Sequence, residues 1–394
     1  MKSKGHQGHK VGKNTVRLAV IVLHVLFLGA GSWAASGLAE PQAQSPARWH
    51  PRRAPANAEF VGDQTCAQCH KKLVTTHAQS AMGMAMEPVA DSRVLIDNPS
   101  MTFRSGPYTY EIKRRDKQSF YTVTDGKESV SLPILYAFGQ GKAGQTYVLQ
   151  HEGAFYESLV SYYNEVKGLD FTIGAPRTVP ESLDKAIGRR LSDKDVGNCF
   201  SCHSTGGVVG GKLNLEKMTP GIRCEACHGP GTRHVAAARE GDPSAGLIYN
   251  PRGLSGDQLT QDFCASCHRG NDEFGLLQSM ELNNVRFQPY RIFHSKCYSD
   301  DRRISCTSCH NPHEPIKNEA AHYDAKCAAC HAPKGKSVLL KSSARALQST
   351  APACKVGTKD CVSCHMPKIG PPAAHFKFTD HYIRVVKPQE AYPN

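Results

Sequence analysis

A mainly α fold with long loops, carrying one small antiparallel β insert, is what this sequence of 394 residues predicts. Three observations lead there. The pentapeptide Cys-x-x-Cys-His recurs seven times, unevenly spaced. Between copies, Gly (34 in the chain) and Pro (24) are frequent enough to keep helices short and loops long. A stretch from 92 to 175 departs from this pattern, with β-branched and aromatic runs separated by turn dipeptides.

The motifs are Cys66-Ala67-Gln68-Cys69-His70, Cys199-Phe200-Ser201-Cys202-His203, Cys224-Glu225-Ala226-Cys227-His228, Cys264-Ala265-Ser266-Cys267-His268, Cys306-Thr307-Ser308-Cys309-His310, Cys327-Ala328-Ala329-Cys330-His331 and Cys361-Val362-Ser363-Cys364-His365, numbered 1 to 7 below. Cysteines at i and i+3 can face one way and form thioethers to the two vinyl groups of a haem. The adjoining histidine is placed to bind the iron. Zinc sites and thiol–disulfide couples also use Cys-x-x-Cys, but neither needs a histidine after every pair. With 19 histidines in the chain, seven such placements by chance have a probability on the order of 10⁻⁹. The motifs therefore imply seven covalently bound haem c groups and a haem-organised, multihaem cytochrome fold.

Residues 1–39 read as a signal peptide or N-terminal anchor. Lys2, Lys4, Lys10, Lys13 and Arg17 precede an apolar run from Leu18 to Ala30, and small residues follow up to Ala39. The run is short for a spanning helix. Residues 40–58, rich in Pro, Ala and Arg, read as a linker with His50 in solvent. Residues 59–91 form a first haem segment, with a helix expected from Lys71 to Met86. In the β-rich insert, 92–175, Tyr108–Lys113, Ser119–Thr124 and Gln145–Gln150 alternate roughly. Asp125-Gly126 and Glu152-Gly153 supply turns. Residues 176–394 form a six-haem cytochrome domain, whose motifs start 25, 40, 42, 21 and 34 residues apart, too irregular for a solenoid. Porphyrins would supply much of its buried apolar surface.

The formal charge of +13 includes the five cationic leader residues, and without them it is +8. Seven ferric haems, each with two ionised propionates against one net iron–porphyrin charge, contribute about −7, so the mature protein is nearly neutral. The basic composition thus gives no support for nucleic-acid binding. Peripheral membrane contact stays open.

Seven motif histidines would be proximal ligands. Outside leader and linker, eight more remain: His77, His151, His234, His294, His313, His322, His375 and His381. Eight candidates for seven distal positions favours mostly bis-histidine haems, suited to electron transfer because neither oxidation state needs a new ligand. His234 and His313 follow Pro-containing turns that direct them toward a neighbouring iron. His77 follows His70 on the expected helix, and His381 sits in the tail. His294, His322 and His375 complete the candidate set, while His151, in a β segment, reads as a surface residue. Met82, Met84 and Met86 could donate sulfur, though packing is their commoner use. Cys297 and Cys354 lie outside the motifs. In an exported protein they would pair in a disulfide, the alternatives being a redox-active pair or a thiolate ligand.

On Phe60-Val61-Gly62, His77 through Met82, Gly221 through Gly231, Cys306 to His313 and Cys361 to Pro367, the chain resembles the multihaem cytochromes of the cytochrome c-554/c-prime type, related by haem packing to nitrite reductase and hydroxylamine oxidoreductase cytochromes. The resemblance spans roughly residues 59–382. It implies haems packed in parallel and perpendicular pairs with ligands crossing between motifs, and it adds support for His77, His234, His313 and His381 as distal ligands. The group holds both carriers and enzymes, and the Cys-x-x-Cys-Lys of nitrite reductases does not occur in this sequence.

The leading expectation is an exported, periplasmic or extracellular electron carrier, working with other cytochromes or a quinol-linked membrane donor and using no side chain as acid or base. An alternative is an oxidoreductase that reduces a nitrogen or sulfur oxyanion or oxidises hydroxylamine at an open-site haem, to be sought first at His203 and His268. A third is a subunit of an extracellular cytochrome filament.

Overall fold

Strict alternation builds the dominant element. In β3 (Tyr108–Arg115) the inward residues are Tyr108, Tyr110 and Ile112, and in β4 (Gln118–Thr124) they are Ser119, Tyr121 and Val123. The computed structural model describes residues 49–242, 247–273, 281–299, 302, 304–331, 354–372, 374–387, 389–390 and 392. The leader lies outside these residues. Among the described residues no helix is long and apolar enough to cross a membrane.

The sheet has ten strands in all. To β3 and β4 it adds β1 (Met86–Glu87), β2 (Ser100–Ser105), β5 (Ser129–Phe138), β6 (Gly144–His151), β7 (Ala154–Ser158), β8 (Val160–Tyr163), β9 (Gly168–Phe171) and β10 (Gly188–Arg190). Its main path runs β10-β7-β6-β5-β4-β3-β2, all antiparallel, with β1 on β5 and β8 joining β6 to β9. At the β6–β7 turn Glu152 and Gly153 both have positive φ, 48° and 79°, as a two-residue primed hairpin turn requires. Asp125 Oδ1 closes the β4–β5 turn, accepting from the backbone N–H groups of Lys127 and Glu128 at 2.8 Å each. The largest hydrophobic cluster lies against this sheet, centred on Tyr110, Tyr121, Tyr147, Ile112 and Leu149.

A mainly α fold is therefore wrong, and the insert is not small. The sheet reaches from Met86 to Arg190 and holds the largest core. Two local features hid it. β5 contains Pro133, which reads as a strand breaker yet is accommodated where Pro133 pairs Phe120, beside a register shift at Ile134/Tyr136. β8 is buried at all four positions, so it shows no alternation to recognise.

The longest described helix, Asp63–Ala78, has 16 residues. It contains motif 1 rather than following it, so the helix expected over Lys71–Met86 starts earlier and stops at Ala78. Other motif helices are Asp193–His203, Cys224–His228, Ala265–His268, Cys306–Cys309, Ala320–His331 and Cys361–His365. Motifs 3, 5 and 7 are followed closely by Gly229-Pro230, Asn311-Pro312 and Met366-Pro367, which end their helices. The described part of the expected linker is packed. Trp49 is buried and its indole N–H donates to the Ala226 carbonyl at 2.8 Å, and His50 Nδ1 is out of solvent.

Candidate functional site

Each motif is one helical turn, which places its two cysteines on one side and its histidine at the end. The turns are too short to be stable alone, so their free N-terminal N–H groups need partners. Motif 2 has a local one: Ser192 and Asp195 form a capping box, with Ser192 Oγ donating to Asp195 Oδ2 at 2.8 Å. Motif 5 has a smaller box between Ser305 and Ser308.

Motifs 1 and 7 are capped from elsewhere in the chain. Glu225, inside motif 3 and 2% exposed, accepts from the N–H groups of Val61 (2.9 Å) and Gly62 (2.8 Å) at the start of the motif 1 helix. It also accepts from Gly231 at 2.8 Å. Asp324, on the motif 6 helix, accepts from the N–H groups of Asp360 (2.9 Å) and Cys361 (2.8 Å) at the start of motif 7. Arg52 spans motifs 2 and 4, donating to Ser201 Oγ at 3.0 Å and the Ser266 carbonyl at 2.8 Å.

Cysteine contacts repeat these pairings. The Cys66 and Cys224 thiols are close neighbours (motifs 1 and 3), as are those of Cys202 and Cys267 (2 and 4) and of Cys327 and Cys361 (6 and 7). Cys264 and Cys306 add a link between motifs 4 and 5. The motifs are thus neighbours in an order different from their order in sequence.

The histidines carry the coordination chemistry. His203 Nδ1 lies 2.9 Å from the Ala85 carbonyl, His228 Nδ1 2.9 Å from that of Tyr249, and His365 Nδ1 2.8 Å from that of Arg384. An Nδ1–H donated to a carbonyl leaves Nε2 as the lone-pair donor, the tautomer a metal-bound imidazole needs. Burial pulls the His203 pKa down, favouring the neutral ligand form. His381 is taken down to about 4, by burial first and then by His310.

Three motif histidines face a second imidazole. His70 and His234 have ring centroids 6.4 Å apart, His228 and His313 6.1 Å, and His310 and His381 6.2 Å. Two imidazoles bound to opposite sides of one metal, at N–metal distances of ~2 Å, have centroids about 6 Å apart. The donor set fits an iron between each pair. His294 adds a buried Nε2 without a hydrogen-bond partner, set among Tyr290, Phe293 and Tyr382. Such an orphaned nitrogen is what an absent metal leaves behind.

The other candidates are not brought opposite a motif histidine. His77 is buried, with Nε2 2.7 Å from the Ile222 carbonyl and Nδ1 3.1 Å from that of Pro312. His375 Nε2 sits 2.6 Å from Asp170 Oδ2, on the sheet. His322 stacks edge-on to Tyr323 and adds to the field at His310. His151 is at the end of β6, 3.9 Å from Asp184. Met86 packs in an apolar cluster with Phe138 and Phe200. The disulfide expected between Cys297 and Cys354 is not formed. Cys354 is exposed, whereas Cys297 is half-buried close to Cys309 and Cys327.

Sequence reasoning missed the caps in trans, Arg52, and a buried clamp around the tail. Arg291 Nε and Nη2 reach Asp380 Oδ1 and Oδ2 at 2.8 and 3.0 Å, directly before His381. The one available signal was a carboxylate inside a motif: Glu225 has no role in haem attachment itself.

A family model described as cytochrome c554 and c-prime matches residues 178–229. The multihaem cytochrome MtrA of Shewanella baltica (strain OS185) is 24% identical over 204 residues, covering 49% of this chain and 52% of its own. The dissimilatory sulfite reductase MccA of Wolinella succinogenes is 25% identical over 170 residues, covering 38% of this chain and 24% of its own. The chain thus spans about half the length of the first relative and a quarter of the second. No solved structure matches.

Proposed function

We propose that the chain is a multihaem c-type cytochrome, an exported heptahaem electron-transfer protein with one haem c at each motif, a reading supported by the seven motifs and by its similarity to multihaem cytochromes. The observation that carries the reading is the set of three facing imidazole pairs at 6.1–6.4 Å. In this reading His234, His313 and His381 are distal ligands to the irons of motifs 1, 3 and 5. His294, with its orphaned Nε2, serves another iron. Bound haem supplies one-electron exchange at iron. The chain's own residues hold the imidazoles in the ligating tautomer and keep successive motifs adjacent. Glu225, Arg52 and Asp324 tie motifs 1 to 3, 2 to 4 and 6 to 7.

The leader supports export, with periplasmic or extracellular placement, and the partners are other cytochromes or a quinol-linked donor. The sheet, which contributes no facing imidazole, suits a scaffold or docking surface. Mass spectrometry of the secreted protein tests the haem count, with seven added haem masses expected. Ferric EPR and resonance Raman spectra that are wholly low-spin, and unchanged by nitrite, cyanide or hydroxylamine, would support the carrier.

A second reading is an oxyanion reductase with an open iron. Among the described residues no second imidazole stands at ligating separation from His203 or His268, and one relative is named as a sulfite reductase. A high-spin ferric component that responds to sulfite or nitrite would decide for it.

A further inference from the structure

Among the described residues, two arginines next to motif 4 have no counter-charge. Arg269 directly follows His268, and its guanidinium carbon lies 4.9 Å from the centroid of the Phe287 ring. The Arg286 guanidinium carbon lies 6.0 Å from the same centroid. Arg286 Nε is buried without a hydrogen-bond partner, and among the described residues neither arginine forms an ion pair. Burial, then the charge of Arg269, pulls the Arg286 pKa down, the signature of cations crowded together away from water.

The surroundings suit a bound group. Tyr163, at the end of β8, is close enough to add its field to Arg286. Gln288, whose Oε1 is buried without a hydrogen-bond partner among the described residues, lies beside His268. Arg269 itself holds a φ of 61° and ψ of 117°, a conformation few residues other than glycine adopt. Strain of this kind persists where the surroundings fix a side chain in one direction. Two partly exposed guanidiniums sharing one ring, with no carboxylate beside them among the described residues, form an incomplete electrostatic arrangement, because a charge partly withdrawn from water is stabilised by a partner.

We infer that Arg269 and Arg286 form an anion site beside motif 4 that holds a carboxylate or small oxyanion by charge-assisted hydrogen bonds. That chemistry has two sources: a propionate of a haem held by the chain, which rests on the haem reading above, or an oxyanion from solution.

The test uses the full-length holoprotein, its Arg286→Gln and Arg286→Lys variants, and Arg269→Gln. Calorimetric titrations with sodium sulfite and sodium nitrite are run at low salt, alongside redox titrations of the haems. For an anion from solution, the wild type binds one equivalent, and either Gln variant weakens binding by at least about tenfold. For a propionate, neither salt binds, and the Gln variants lower the midpoint potential of one haem at unchanged haem content. Arg286→Lys, which keeps the charge but not the fork, gives an intermediate result for either source and covers the case in which Arg286→Gln does not fold. No salt binding and unaltered potentials in folded, fully loaded variants would overturn the site. A pyridine haemochrome count below seven in the wild type would instead count against the haem reading, leaving the two failures distinguishable.

Discussion

Arg291 and Asp380 meet in a bidentate ion pair with both side chains wholly out of solvent, at 2.8 and 3.0 Å. Arg384 adds a third contact to Asp380 at 2.8 Å, and Tyr382 lies under both arginines. Burial alone would raise the Asp380 pKa, but the hydrogen bonds from Arg291 and Tyr382 N–H outweigh it and hold the carboxyl below its usual range. The pair precedes His381, whose own carbonyl accepts from Ser295 Oγ at 3.2 Å.

Breaking that pair from one side should be costly. Asp380→Asn leaves Arg291 buried and under-compensated, a change that typically costs about 3–5 kcal/mol. The expected result is a displaced tail and loss of the imidazole facing His310. A high-spin ferric signal equivalent to one haem would appear, with the spectra of the remaining haems retained. EPR of the purified variant reads this directly.

Removing the facing imidazoles themselves should separate the sites. His234→Ala, His313→Ala and His381→Ala should each convert one low-spin haem to high-spin. The ring planes differ by 19° and 12° for the first two pairs and by 43° for the third. Near-parallel imidazole planes give rhombic low-spin EPR signals, and larger angles move the largest g value upward. The signal lost in His381→Ala should therefore lie at higher g than those lost in the other two variants.

Glu225→Gln should loosen motif 1 without touching motif 3's cysteines. The carboxylate serves three backbone N–H groups, and an amide has only one acceptor oxygen for them. A loss of about 1.5–3 kcal/mol is expected for the weakened charged hydrogen bonds. Urea unfolding of the holoprotein, followed by circular dichroism, measures it.

The contact of the tail with the sheet should be acid-sensitive in a defined sense. Asp170 is half-shielded, and burial would raise its pKa. The His375 hydrogen bond, the Phe171 N–H and Arg177 outweigh that and hold it below the ordinary carboxylate value. A depressed carboxylate contributes stability above its unfolded pKa of ~3.9 and loses it as pH falls through the lower folded value. Hydrogen exchange around residues 375–379 should accordingly stay slow down to about pH 4 and rise below it. Asp170→Asn should make exchange fast even at neutral pH.

The motifs themselves were readable because they are local. Motif cysteines and histidines sit within five residues of one another. The Pro-containing turns before His234 and His313 turn those side chains away from their own motif. What was hidden depends on distant partners. Glu225 caps a helix that starts at Asp63, and Arg52 joins Ser201 to Ser266. No spacing rule connects such residues. The surroundings of His77 were not legible either, because they come from distant segments. With the helix running from Asp63, its two ring nitrogens meet carbonyls of Ile222 and Pro312. The sheet was under-read for the reverse reason: a buried strand such as Val160–Tyr163 has lost the alternation by which strands are recognised.

The crossing imidazoles have a consequence for how the molecule is made. His70 waits for His234, His228 for His313 and His310 for His381, each partner emerging from the ribosome after the motif it faces. In the proposed reading each such centre would be completed only by an imidazole synthesised after its motif. In that reading a nascent chain halted before residue 381 would lack the imidazole that faces His310, and that centre would stay unfinished until His381 emerged.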